Sequence, residues 1–152
     1  PPARLGGSGA RGHLSGPGHR ALISTQVDSG AQSSVISLPL ARALGLLDRL
    51  DRSEQGVAAG VGRARILGKL RSVAVFLGEG VEYAMDFSVL EVQDQLLLLG
   101  LDQLRRFKCI IDLERNVLVF GGRGGVEVAF LPHERVQRYR ARAPPDLACR
   151  QM

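Results

Sequence analysis

Tryptophan is absent, and Phe and Tyr together make up only 5% of the 152 residues. A core must therefore be assembled from Leu, Val, Ile and Ala. Only two cysteines occur, which excludes a disulfide framework. Cys109 lies in the apolar run Cys-Ile-Ile and reads as a buried small hydrophobe, while Cys149 lies close to the last residue. Such sparing use of thiols fits a reducing compartment, cytoplasmic or nuclear. His13, His19 and His133 are scattered, so no zinc-ligand spacing exists, and neither a metal nor any other cofactor is expected. No apolar run reaches 18 residues, which excludes a membrane-spanning helix. A signal-peptide pattern is also missing, and the first residue is Pro rather than Met, as in a fragment of a longer chain.

What is present is ordinary in amount and uneven in place. Hydrophobic residues make up 45% and charged residues 23%, enough for one domain with a real core. The net charge is +5. The excess lies in a head with Arg4, Arg11 and Arg20 and a tail with Arg135, Arg138, Arg140, Arg142 and Arg150. The middle is nearly balanced, so the excess reads as solvated ends, and a nucleic-acid partner is not expected. Residues 1–20 are rich in Gly, Pro, Ser and Arg and are expected to be a disordered head. Residues 133–152 are expected to form a basic, disordered tail, with the folded domain over 21–132.

Within 21–132 the pattern is of many short strands, glycine turns and one or two short helices, which predicts a mainly β domain. Strands are expected over 21–27, 33–37, 72–77, 83–90, 95–99, 110–113, 117–120 and 126–130. Leu38-Pro39 opens a helix that Gly45 ends, and Leu101, Leu104 and Phe107 mark a second. Residues 56–70 read as a hairpin with a glycine tip. No Lys-Ser/Thr follows the last glycine of that tip, so it is not a phosphate loop.

One stretch carries chemistry. The β-branched run Ile23, Thr25, Val27 leads into Asp28-Ser29-Gly30-Ala31. The acid falls where a strand stops, which presents its carboxylate, and Gly30 lets another chain pass close by. Alone, Asp-Ser-Gly is common turn chemistry. Further segments in order change that reading: Gly56-Val57-Ala58-Ala59-Gly60-Val61-Gly62, Leu97-Leu98-Leu99-Gly100-Leu101-Asp102, Cys109-Ile110-Ile111-Asp112-Leu113, Asn116-Val117-Leu118 and Phe130-Leu131-Pro132.

Over about 110 residues this succession resembles the retroviral-like aspartic proteases, most closely the DNA-damage-inducible (Ddi) type. The resemblance implies a retropepsin-like acid-protease barrel with half an active site per chain. It implies Asp28 as the catalytic residue, with Ser29, Gly30 and Ala31 supporting its loop. It also implies a substrate-binding flap of Ala58, Ala59, Gly60, Val61 and Gly62. Hydrolysis by carboxylates needs two of them, one ionised to activate water and one protonated to bind the carbonyl oxygen. A second Asp-Ser/Thr-Gly is absent, and Asp48, Asp51, Asp86, Asp94, Asp102, Asp112 and Asp146 lack that setting. An active enzyme therefore needs a second copy of the chain across a two-fold axis, with a peptide or protein as substrate.

The chain departs from the family in two places. No strand is legible before residue 21, where the family has one, and Gln26 replaces an apolar residue beside the catalytic loop. The family's ubiquitin-like and ubiquitin-binding modules have no counterpart in these residues, so ubiquitin-pathway partners are implied by resemblance alone. The nuclear-receptor-interacting proteins resemble the same fold, but a Leu-x-x-Leu-Leu box is absent; Leu44-Gly45-Leu46-Leu47 has the wrong spacing. The alternative functions are a catalytically inactive protease-fold interaction module, or an anion or nucleic-acid binder that uses the Arg-rich ends.

Overall fold

The computed structural model describes residues 9–17, 19–60, 62–78 and 80–131. It begins with a hairpin of β1 (Gly9–Gly16) and β2 (His19–Val27), paired antiparallel from Gly16↔His19 to Gly9↔Gln26. Strand β2 alternates as its sequence dictates. Ala21, Ile23, Thr25 and Val27 are buried, while Arg20 and Leu22 face outward.

The expectation of disorder over 1–20 is corrected for the part that is described. Residues 9–16 are a strand with Ala10 and Leu14 fully buried. Its glycines serve close packing. A Cβ at Gly12 would lie 2.6 Å from the Leu77 side chain and 2.8 Å from the Phe76 carbonyl oxygen. At Gly16 it would lie 1.9 Å from the carbonyl oxygen of Leu44. The first strand, illegible in the sequence, is therefore in place, and its outer edge is shared. Gly9 and Ala10 pair with one later strand, and Gly12 to Ser15 with another.

The remaining elements follow in order: β3 (Val35–Ser37), α1 (Leu38–Ala43), a 3-10 turn (Leu47–Arg49), β4 (Gly56–Gly60), β5 (Gly62–Leu77), β6 (Val81–Leu90), β7 (Leu97–Leu99), α2 (Leu101–Arg106), β8 (Ile110–Asp112), β9 (Val117–Phe120) and β10 (Val126–Leu131). The strands are hydrogen-bonded in the order β4-β5-β6-β3-β7-β2-β1-β10-β9-β8. A further pairing of β1 with β5 closes β5, β6, β3, β7, β2 and β1 into a six-stranded barrel. Strand β7 lies between β2 and β3, parallel to the first and antiparallel to the second. Its Leu97-Leu98-Leu99 is buried throughout, as a strand covered on both faces must be.

The stretches 64–70 and 72–77, expected as separate strands, are one 16-residue strand, β5. Register shifts between Ile66 and Gly68 and between Leu70 and Val73 bend it while it stays paired with β6. At the second bulge Ser72 has φ 55°, and its amide is bonded to Asp86 Oδ1 at 2.9 Å. Helix α1 forms where expected, with Pro39 in its first turn and Gly45 (φ +70°) just past its end.

Leu14, Ile36, Leu40, Leu44, Leu70, Leu77, Phe87, Leu97 and Leu118 are all fully buried in a single core cluster. Burying one side chain of this size stabilises the fold by about 1.5–3 kcal/mol. Few aromatics are used. Tyr83 stacks on Phe120 with ring centroids 4.5 Å apart and meets Phe107 edge-on at 5.3 Å, tying β6 to β9 and the end of α2. Among the described residues no helix is long and apolar enough to cross a membrane.

Candidate active site

Strand β2 ends at Val27, and the chain turns at once. The amide of Asp28 donates to the Leu99 carbonyl at 2.9 Å, a bond that continues the β2–β7 pairing by one residue. Asp28 is only 7% exposed, yet its carboxylate has a fixed partner, because the Gly30 amide donates to Oδ1 at 2.9 Å. This is an Asx turn, in which a short acidic side chain bonds the backbone two residues on. The Ala31 amide donates to the Asp28 carbonyl at 3.2 Å and completes the bend. Ser29, at its apex, is exposed. Gln26, the departure noted on β2, is half-buried and pairs with Leu98 of β7.

The loop is knitted to the end of β7 and the start of α2. Leu101 N–H donates to Ala31 O at 2.8 Å, and Asp102 N–H to Gln32 O at 3.1 Å. Gly100 is a necessity of this docking. A Cβ there would lie 2.7 Å from the Ser33 carbonyl and 2.8 Å from Ala31 O. Behind the loop, Ser34 is fully buried and Asp102 reaches across to it. Neither Ser34 nor Asp102 stands out in the sequence reading. The available signal was an acid in the first turn of a helix that follows Gly100.

Ser29 opens onto a cleft of about 260 Å³ lined also by Leu101, Leu104, Cys109 and Ile111, with the cations Arg105 and Lys108. Cys109 is half-buried rather than fully buried, and burial pushes its thiol up to about 11, which favours the protonated form.

Of the residues expected to form the flap, Ala58, Ala59, Gly60 and Gly62 belong to one β-hairpin. Ala58 pairs with Ala64, Ala59 with Arg63 and Gly60 with Gly62, so β4 and β5 form a hairpin at the end of the strand order. Val61 lies outside the described residues. Ion pairs pin the loop leading into the hairpin, where Arg71 meets Asp51 at 3.1 Å and Glu54 at 2.6 Å. The Ser53 hydroxyl and amide, and then Arg71, hold the Asp51 carboxyl below the usual carboxylate value.

Comparison with known proteins matches this geometry. The aspartyl protease family profile matches residues 19–112, so the barrel-closing β1 precedes the matched segment. The chain is 41% identical over 129 residues to the UBA domain-containing protein Mud1 of Schizosaccharomyces pombe, covering 85% of this chain and 37% of that protein. It is 44% identical over 105 residues to Protein DNA-DAMAGE INDUCIBLE 1 of Arabidopsis thaliana, covering 69% of this chain and 25% of that one. It thus spans only 25–37% of the length of these two relatives. Among solved structures, the retroviral protease-like domain of Ddi1 from Leishmania major superposes with a TM-score of 0.66 at 34% identity, over 83% of this chain and 96% of that one. On the barrel, the Asp28 turn and these matches, the chain belongs to the aspartyl protease family and carries a retroviral protease-like domain of the Ddi type.

Proposed function

We propose that this domain is an aspartic endopeptidase that acts as a homodimer, each chain supplying Asp28. The observation that carries the reading is the setting of that residue. It is a nearly buried acid at a strand exit, with one carboxylate oxygen fixed by the Gly30 amide, in the only Asp-Ser-Gly triplet of the chain. Two such carboxylates about 3 Å apart cannot both ionise, and the shared proton divides the labour between them, as in aspartic proteases generally. The ionised member takes a proton from water as the water attacks the scissile carbonyl carbon. The protonated member donates to the carbonyl oxygen, and the leaving nitrogen is then protonated as the C–N bond breaks.

Ser29, exposed at the loop apex, braces the pair across the two-fold axis. Gly30 and the hairpin from Ala58 to Gly62 hold an extended peptide through backbone hydrogen bonds, in the manner of an added strand. The hairpin acts as the flap, opening and closing over the substrate. Substrates are peptides or proteins. The UBA domain named for the fission-yeast relative supports ubiquitin-related partners for this one. The scarcity of thiols supports a cytoplasmic or nuclear setting.

The test is cleavage of a peptide library at mildly acid pH, with the oligomeric state measured by sedimentation. The wild type is expected to be dimeric and active. Asp28→Asn should remove at least about 1,000-fold of the rate, in the range of losses seen when one member of a catalytic unit is removed, while remaining folded. A strict monomer, or cleavage that survives Asp28→Asn, would overturn the proposal.

A further inference from the structure

The loop from Ser29 to Ser34 links two strands of the barrel, and its far end is fastened by one carboxylate oxygen. Asp102 Oδ1 accepts from Ser34 N–H at 2.9 Å, from the Ser34 hydroxyl at 2.6 Å and from Gln103 N–H at 2.7 Å. Three donors on one oxygen is the pattern of an ionised carboxylate, and such charge-assisted bonds are about twice as strong as neutral ones. The Ser34 hydroxyl has a single proton, which goes to Asp102. Its oxygen is then left to accept from Gly100 N–H, at 2.8 Å. The order Gly100 N–H to Ser34 O–H to Asp102 is thereby forced, inside a region where Ser34 has no solvent exposure.

Gly100 is what connects this chain of bonds to the catalytic acid. It stands between Leu99, whose carbonyl holds the Asp28 amide, and Leu101, whose amide holds the Ala31 carbonyl. The turn from Asp28 to Ala31 is thus clamped at its two ends by the residues on either side of Gly100, and Gly100 is itself held by Ser34. We propose that Asp102 and Ser34 are a positioning pair that sets the aim of the Asp28 carboxylate. The proposal rests on the reading of Asp28 as the catalytic acid. Asp102 touches no reacting group in this scheme; it acts through Ser34 and Gly100.

The experiment uses the full chain and two readouts. One is peptide cleavage. The other is the NMR signature of the Gly30 amide, which reports its bond to Asp28 whether or not the protein cleaves anything. Asp102→Ala and Ser34→Ala are expected to lower kcat about 100-fold, the cost of a misplacement near 1 Å, with KM changed less than about 3-fold. Both should shift the Gly30 amide resonance and speed its hydrogen exchange about 10-fold. Asp102→Asn keeps an acceptor oxygen without the charge, so it should restore part of kcat and an intermediate Gly30 signature.

If Asp102→Ala does not fold, Ser34→Ala and Asp102→Asn decide by the same signature. An unchanged Gly30 resonance in these variants overturns the positioning role, as does a loss of kcat that merely follows the folded fraction. A wild type that cleaves no peptide overturns the proposed peptidase, while the Gly30 signature still decides this pair.

Discussion

Two glycine-bearing strands of this domain use the same residue for opposite ends. In β1, glycine lets neighbours in: the space a Cβ would need at Gly12 and Gly16 is already filled by Leu77, by Phe76 O and by Leu44 O. In β4, nothing lies within 4 Å of where a Cβ at Gly56 would sit, and the next residue, Val57, is 60% exposed. The first strand seals a barrel, and the second ends a sheet. Glycine content therefore says little about order. What distinguishes the two is what stands opposite, and that is set by residues far away in the chain.

The comparison breaks most sharply at Gly16. Gly16→Ala drives a methyl group into a backbone carbonyl that has no rotamer to retreat to, and should cost about 3 kcal/mol or more, read as a lower denaturant midpoint. Gly12→Ala meets a side chain as well as a carbonyl and should cost about 1–3 kcal/mol. If both were neutral, the close packing of β1 against β5 and the end of α1 would be wrong. Gly56→Ala should lie within about 1 kcal/mol of wild type, on the stabilising side, because Ala narrows the unfolded ensemble and meets nothing in the folded one.

A smaller effect concerns Cys109, which shares the cleft with Ser29. Its thiol, raised to about 11 by burial, should be alkylated at pH 8 at least about 10-fold more slowly than a free cysteine, measured by mapped labelling that separates it from Cys149. The sign of the linked stability follows. The folded value lies above the unfolded one, so the contribution is intact below about pH 9 and is lost as pH rises through about 11.

The turn at Asp28, the β4–β5 hairpin and the buried leucine strand are legible because their signals are local. Alternation in Ile23, Thr25 and Val27, turn residues after it, and an unbroken run at Leu97 to Leu99 each need only a short window. Strand β1 was illegible because its buried face is Ala10, Gly12 and Leu14, too small a set to register as an apolar stripe. The role of Asp102 is illegible for a different reason. Its partner Ser34 is 68 positions away, and nothing near either residue announces the other. The continuity of β5 was hidden by Ser72, whose positive φ belongs to a bulge rather than to a strand end.

Because β1 lies against β2 along its whole length and divides its other edge between β5 and β10, it works as a keystone rather than as a margin. A truncation drawn at Ala21, where the apolar alternation begins, would leave three strands with unmated backbone and a template for self-stacking. Such a preparation would precipitate or sit idle. The fault would then lie in where the chain was cut, not in its chemistry.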